Sequence, residues 1–128
     1  MSNDFRFSKS RRILKSAEFD RVFERRRSHS DGMLIVYGCE NELPHSRLGL
    51  VASRKCGNAV VRARWKRCIR EAFRLTQHEL PAGIDWVVLP RAGATPTMPR
   101  VQQSLLALAA RIAKQLQHQV PPREGPST

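Results

Sequence analysis

Eight cations crowd residues 54–74 (Arg54, Lys55, Arg62, Arg64, Lys66, Arg67, Arg70 and Arg74) against a single acid, Glu71. Groups of this kind form charge-assisted hydrogen bonds to anionic oxygens, and two guanidinium forks side by side suit a phosphate. Their spacing is helical. Lys66, Arg70 and Arg74 recur at every fourth position beside Arg67, and Arg62 and Arg64 stand near the start. Asn58 is placed to cap the first turn, where free N–H groups and the helix dipole add to the pull on an anion. The plain alternative is a solvated basic face held by Arg67–Glu71 and Glu71–Arg74 pairs. One acid among eight bases leaves most of these cations without such a partner.

Little else in the chain offers covalent chemistry. His29, His45, His78 and His118 are scattered through expected loops and helix ends, and no nucleophile has a base beside it. The eleven acids form no paired cluster of the kind that holds two metal ions in a nuclease. Cys39, Cys56 and Cys68 have neither C-x-x-C spacing nor a histidine at zinc-ligand distance, and read as reduced thiols of a cytoplasmic protein.

The formal charge is +12 over 128 residues. Residues 1–27 carry nine Lys/Arg against four acids, residues 54–74 carry eight against one, and the rest of the chain is neutral. Such a domain repels itself unless a polyanion is present, and nucleic acid is the commonest one. A membrane surface is the competitor, but no run of about 18 apolar residues and no secretory signal is present.

The elements that must position these residues follow from periodicity. Residues 1–15, with Arg6, Lys9, Arg11, Arg12 and Lys15, read as an extended basic arm. A short helix starts at Ser16 as N-cap and runs to about Arg26, with Phe19, Val22 and Phe23 on one face. Residues 28–32 read as a loop. Met33 to Tyr37 is an apolar strand expected to be covered on both faces, with Met33, Ile35 and Tyr37 on one side. Arg47 to Ser53 reads as the returning strand of a hairpin. The basic helix then presents Val61, Trp65, Cys68, Ile69, Ala72 and Phe73 to a core. Ile84 to Leu89 is a third strand. A last helix, capped by Thr97, buries Val101, Leu105, Leu108, Ala109, Ile112 and Leu116, and a tail over 119–128 should be disordered. The expected fold is α+β: one domain over residues 16–118, an α/β sandwich in the order α-β-β-α-β-α on a small mixed sheet with at least one parallel pair.

With these elements placed, residues 47–74 resemble the signature of the protein component of bacterial ribonuclease P. The block runs Arg47-Leu48-Gly49-Leu50, Lys55-Cys56-Gly57-Asn58-Ala59-Val60, Arg62-Ala63-Arg64-Trp65-Lys66-Arg67 and Arg70-Glu71-Ala72-Phe73-Arg74. Arg12-Ile13-Leu14 followed by Phe19-Asp20-Arg21-Val22-Phe23 is a second match, and the similarity spans about residues 5–117. One departure stands out: the family's Arg-Asn-Arg is here Arg62-Ala63-Arg64. Arg54 stands where lysine is usual.

The resemblance implies a subunit of an RNA-based endoribonuclease that removes the 5' leader of precursor tRNA. Catalysis would belong to the RNA and to magnesium ions held mainly by it, with no cofactor bound by the protein alone. It implies that Arg54, Lys55, Asn58, Arg62, Arg64, Lys66, Arg67, Arg70 and Arg74 face the catalytic RNA. A cleft formed by Phe19, Phe23, Ile35 and Tyr37, with Arg11 and Arg12 of the arm, would hold the leader. On residues alone, Phe19 and Phe23 read as core; the resemblance reverses that. It also implies a left-handed β-α-β crossover, where general rules favour a right-handed one. The protein is expected to be monomeric apart from the RNA. The alternative is a ribosome-associated or general RNA-binding structural protein using the same charge.

Overall fold

The computed structural model of the protein describes residues 11–119, with side chains through Leu116. Most of the expected arm and all of the tail beyond Gln119 lie outside these residues. The elements are α1 (Ser16–Arg25), β1 (Ser28–Ser30), β2 (Leu34–Glu40), β3 (Arg47–Leu50), a single 3-10 turn (Arg54–Cys56), α2 (Ala59–Thr76), β4 (Ile84–Pro90) and α3 (Met98–Gln119).

The four strands form one sheet in the order β1-β2-β4-β3. β2 pairs antiparallel with both β1 and β4, and β3 pairs parallel with β4 through the α2 crossover. Two expectations are corrected here. Residues 28–30 are a strand, because His29 pairs with Val36 at the sheet edge, so the order is α-β-β-β-α-β-α. β2 and β3 are also not a hairpin. β4 inserts between them and takes the hydrogen bonds of both, which a local turn signal around Pro44 cannot foretell.

Period two divides the strands cleanly. Leu34, Val36, Leu48, Trp86 and Val88 face one large core with Trp65, Ile69, Ala72 and Phe73 of α2 and the whole expected apolar stripe of α3. Val61 and Cys68 only border it. Thr76 completes the α2 face, its hydroxyl donating to Ala72 O at 2.7 Å. Met33 joins this core rather than the Ile35 side, because it precedes the strand proper.

The opposite sheet face carries a smaller cluster of Ile13, Val22, Cys39 and Val87, bordered by Phe19, Phe23, Tyr37, Val51 and Leu89. β2 is therefore fully covered on one face and half covered on the other. Ser16 is not the cap of α1; Lys15 is, and its N–H donates to Glu18 Oε1 at 3.4 Å. Residues 11–14 are docked: Arg12 bridges to Leu48 in parallel, Ile13 N–H donates to Leu48 O at 2.9 Å, and the Ile13 side chain is buried.

Candidate nucleic-acid interface

The cationic helix is built as its periodicity predicts. Asn58 Oδ1 accepts from Val61 N–H at 3.0 Å, capping α2. Gly57 precedes it at φ +135°, a conformation that side chains rarely adopt, and a Cβ there would stand 2.9 Å from Val61. This turn brings the exposed Arg54 and Lys55 beside the helix start.

With Trp65, Ile69 and Phe73 buried, Arg64, Arg67 and Arg70 are exposed on the outside and Lys66 is half exposed. Among the described residues, none of these four has a hydrogen-bond or ion-pair partner. Arg62 Nε donates to Gly57 O at 3.3 Å. Glu71 binds Arg74, Nε at 3.1 Å and a second guanidinium nitrogen closer still, rather than Arg67. The Arg74 hydrogen bonds hold the Glu71 carboxyl below its ordinary range. One cation of the helix is therefore neutralised from within. Ala63 is exposed between Arg62 and Arg64, so it shapes the outer surface and not the core.

The aromatic residues meet on the other sheet face. Tyr37, Val87 and Gly49 are aligned across β2, β4 and β3. α1 lies over this row, with the Phe23 ring edge-on to Tyr37 at 4.9 Å between centroids, Val22 packed with Val87, and Phe19 against Gly49. On one side of α1 the row Ile35–Leu89, with Val51 beyond it, is left half-buried. The result is an apolar trough walled by Phe19 and Phe23 and floored by Ile35, Tyr37, Leu89 and Val51. Leu89 and Val51 were not legible as trough residues, because their place depends on β4 lying between β2 and β3.

On the other side of α1 the row Cys39–Asp85–Arg47 carries charge. Asp85 is fully buried in β4. Arg47 donates to both its oxygens, Nε to Oδ1 at 2.8 Å and a terminal nitrogen to Oδ2 at 2.6 Å. Asn41 Nδ2 also donates to Oδ1 at 2.8 Å, and Arg21 of α1 donates to Oδ2 at 2.8 Å. Arg47 reaches Glu18 of α1 at 3.1 Å, and Arg25 grips Glu40 with two bonds of 3.0 and 3.2 Å. The Asp85 hydrogen bonds hold the Arg47 guanidinium more firmly charged than usual. Burial raises the Cys39 and Cys68 thiols, so both are neutral at physiological pH.

The two faces communicate around the edge of β3. A cavity of about 160 Å³ there is lined by Arg12, Ile13, Leu14, Phe19, Leu48, Leu50 and Arg70. Arg70, expected with the other helix cations, thus shares a notch with Arg12 and Phe19. Arg11 is half-buried. No group of three or more His, Cys, Asp or Glu among the described residues is placed to hold a metal ion, and no helix among them is long and apolar enough to cross a membrane.

The arrangement defines a basic α+β domain with an open aromatic trough on one sheet face and, on the other, a cationic helix in which Glu71 neutralises Arg74 and leaves Arg64, Lys66, Arg67 and Arg70 unpaired among the described residues. The family model described as ribonuclease P matches residues 7–113. The ribonuclease P protein component of Chromobacterium violaceum is 40% identical over 111 residues, covering 86% of this chain and 89% of that protein. That of Brevibacillus brevis is 37% identical over 105 residues, covering 80% and 83%. Among solved structures, the Staphylococcus aureus RNase P protein superposes with a TM-score of 0.71 at 38% identity, covering 83% of this chain and 97% of that one. The Thermotoga maritima protein gives 0.70 at 32%, covering 78% and 96%. The chain belongs to the ribonuclease P protein family. It is accordingly a protein subunit of that tRNA-processing enzyme, with an RNA subunit as its partner in the holoenzyme.

Proposed function

We propose that the two faces divide the work of the subunit: α2 anchors the catalytic RNA, and the trough between α1 and the sheet takes the single-stranded 5' leader of precursor tRNA. The observation that carries this reading is the exposed row Arg64, Arg67 and Arg70, unneutralised among the described residues and rigidly set by the buried Trp65 and Ile69. Arg54, Lys55, Arg62, Lys66 and the Asn58-capped turn extend it. Phosphate contacts of this kind position a partner without reading its sequence.

The trough supplies a different chemistry. Half-exposed Phe19, Phe23 and Tyr37 offer faces and edges on which unpaired bases can stack for about 1–3 kcal/mol each with little sequence preference. Arg12 flanks its β3 end and takes the leader's phosphates, with Arg11 nearby. Leader cleavage itself is assigned to the RNA subunit. The magnesium ions are assigned to the RNA as well, with none bound by the protein alone. The protein works as a monomer in the cytoplasm, bound to that RNA.

Reconstitution tests this reading. Added to the catalytic RNA at low magnesium, the protein stimulates cleavage of the leader. A general RNA-binding protein would bind tightly and leave cleavage unstimulated, and that result overturns the proposal.

A further inference from the structure

Only Val22 of the ten residues of α1 is buried, with Phe19 and Phe23 partly buried beside it, so apolar packing holds one flank of the helix and leaves its other flank to polar contacts. A helix this short is also marginal by itself. At 100° per residue, Glu18, Arg21 and Arg25 lie on one flank of Val22, and Phe19 and Phe23 on the other. The first flank is where the sheet holds its buried charge. We propose that Glu18 and Arg21, bonded to Arg47 and Asp85, are positioning residues that set the roll of α1 and thereby the opening of the trough to the leader. This rests on the leader reading above.

The division of bonds supports a positioning role. Asp85 is already neutralised and largely satisfied within the sheet layer by Arg47 and Asn41. The Arg21 contact at 2.8 Å is surplus to that requirement, and it is the one that ties α1 to β4. Glu18 repeats the arrangement with opposite sign, taking the remaining Arg47 nitrogen at 3.1 Å and tying α1 to β3. Arg21 NH1 further donates to Glu40 O at 3.0 Å. The anchors are dry and fixed: the Asp85 side chain is 0% exposed and that of Arg47 is 15% exposed. The leverage is large. Side chains ride about 5 Å from a helix axis, so a roll of about 20° carries the phenylalanine rings by about 2 Å, enough to spoil a stacking contact.

The test is the charge-neutral double variant Glu18→Gln/Arg21→Gln in the reconstituted holoenzyme, beside Phe19→Ala. The readout is the preference for precursor over mature tRNA and its dependence on salt. The expected result is a five- to tenfold loss of preference in the double variant with an unchanged salt slope, unchanged affinity for the RNA subunit, and recovery in Arg21→Lys. If the double variant keeps its preference while Phe19→Ala loses it, the positioning role is wrong and the leader reading stands. If Phe19→Ala also keeps it, both fall. A salt slope lowered by about one makes Arg21 a direct phosphate contact and overturns the inference. Should the double variant fail to fold, Arg21→Gln alone gives the same readout, because that side chain is 46% exposed and Asp85 retains Arg47 and Asn41.

Discussion

The Phe19 ring rests on the bare backbone of Gly49: a Cβ at Gly49 would stand 2.6 Å from Phe19 Cε1 and 2.9 Å from Cζ. Glycine here provides room rather than an unusual backbone angle. Gly49→Ala therefore lifts one end of α1 off β3. Overpacking of this sort costs about 1–3 kcal/mol, so the urea midpoint should fall by that equivalent. Precursor tRNA binding should weaken while affinity for the RNA subunit holds.

The α2 face predicts salt dependence. If Arg64 and Arg67 each neutralise one phosphate, then Arg64→Ala and Arg67→Ala each lower the slope of log affinity against log salt by about one. The two variants weaken binding to the RNA subunit without changing stability by more than about 0.5 kcal/mol, since both side chains are exposed. Titrations at several salt concentrations measure both.

Ala63 tests whether arginines suffice. Ala63→Asn adds one exposed hydrogen-bonding side chain between Arg62 and Arg64. A single added hydrogen bond contributes about 0.5–1.5 kcal/mol, so affinity for the RNA subunit should rise about two- to tenfold. An unchanged affinity in a filter-binding assay would show that the arginines alone carry this contact.

Acid should loosen α1. The Arg25 hydrogen bond holds the Glu40 carboxyl below its ordinary 4.5. Burial pushes Glu18 up, but the Lys15 N–H and Arg47 bring it below 4.5 overall. A carboxyl lowered in the folded state contributes stability that is complete above its unfolded value and lost as pH falls through the folded one. Melting temperature should therefore hold from pH 7 to about 5 and decline below about 4.5, with a shallower decline in Glu40→Gln.

Much of this was legible in the chain. The α2 and α3 stripes emerged from 3.6-residue periodicity because one face of each is buried in a single core; Trp65, Ile69, Phe73, Leu105 and Ile112 all lie where the spacing puts them. The cationic face followed as its complement. Strand pairing did not, since β4 enters between β2 and β3 from 34 residues beyond β3, and Ser28-His29-Ser30 has no apolar alternation to mark it as a strand. The charged clamp was hidden for the same reason. Asp85 and Arg47 lie 38 positions apart, and each reads locally as an ordinary strand residue until the parallel register sets them side by side.

The division of labour between the two faces is tested most directly by measuring, in one reconstituted particle, the affinities for the RNA subunit, precursor tRNA and mature tRNA in Arg67→Ala and Phe23→Ala. Arg67→Ala should weaken the RNA subunit contact and leave the precursor-to-mature ratio intact. Phe23→Ala should lower that ratio by about 5- to 100-fold, the equivalent of one lost stacking contact, and leave the RNA subunit contact intact. Parallel losses of both affinities in both variants would contradict the account.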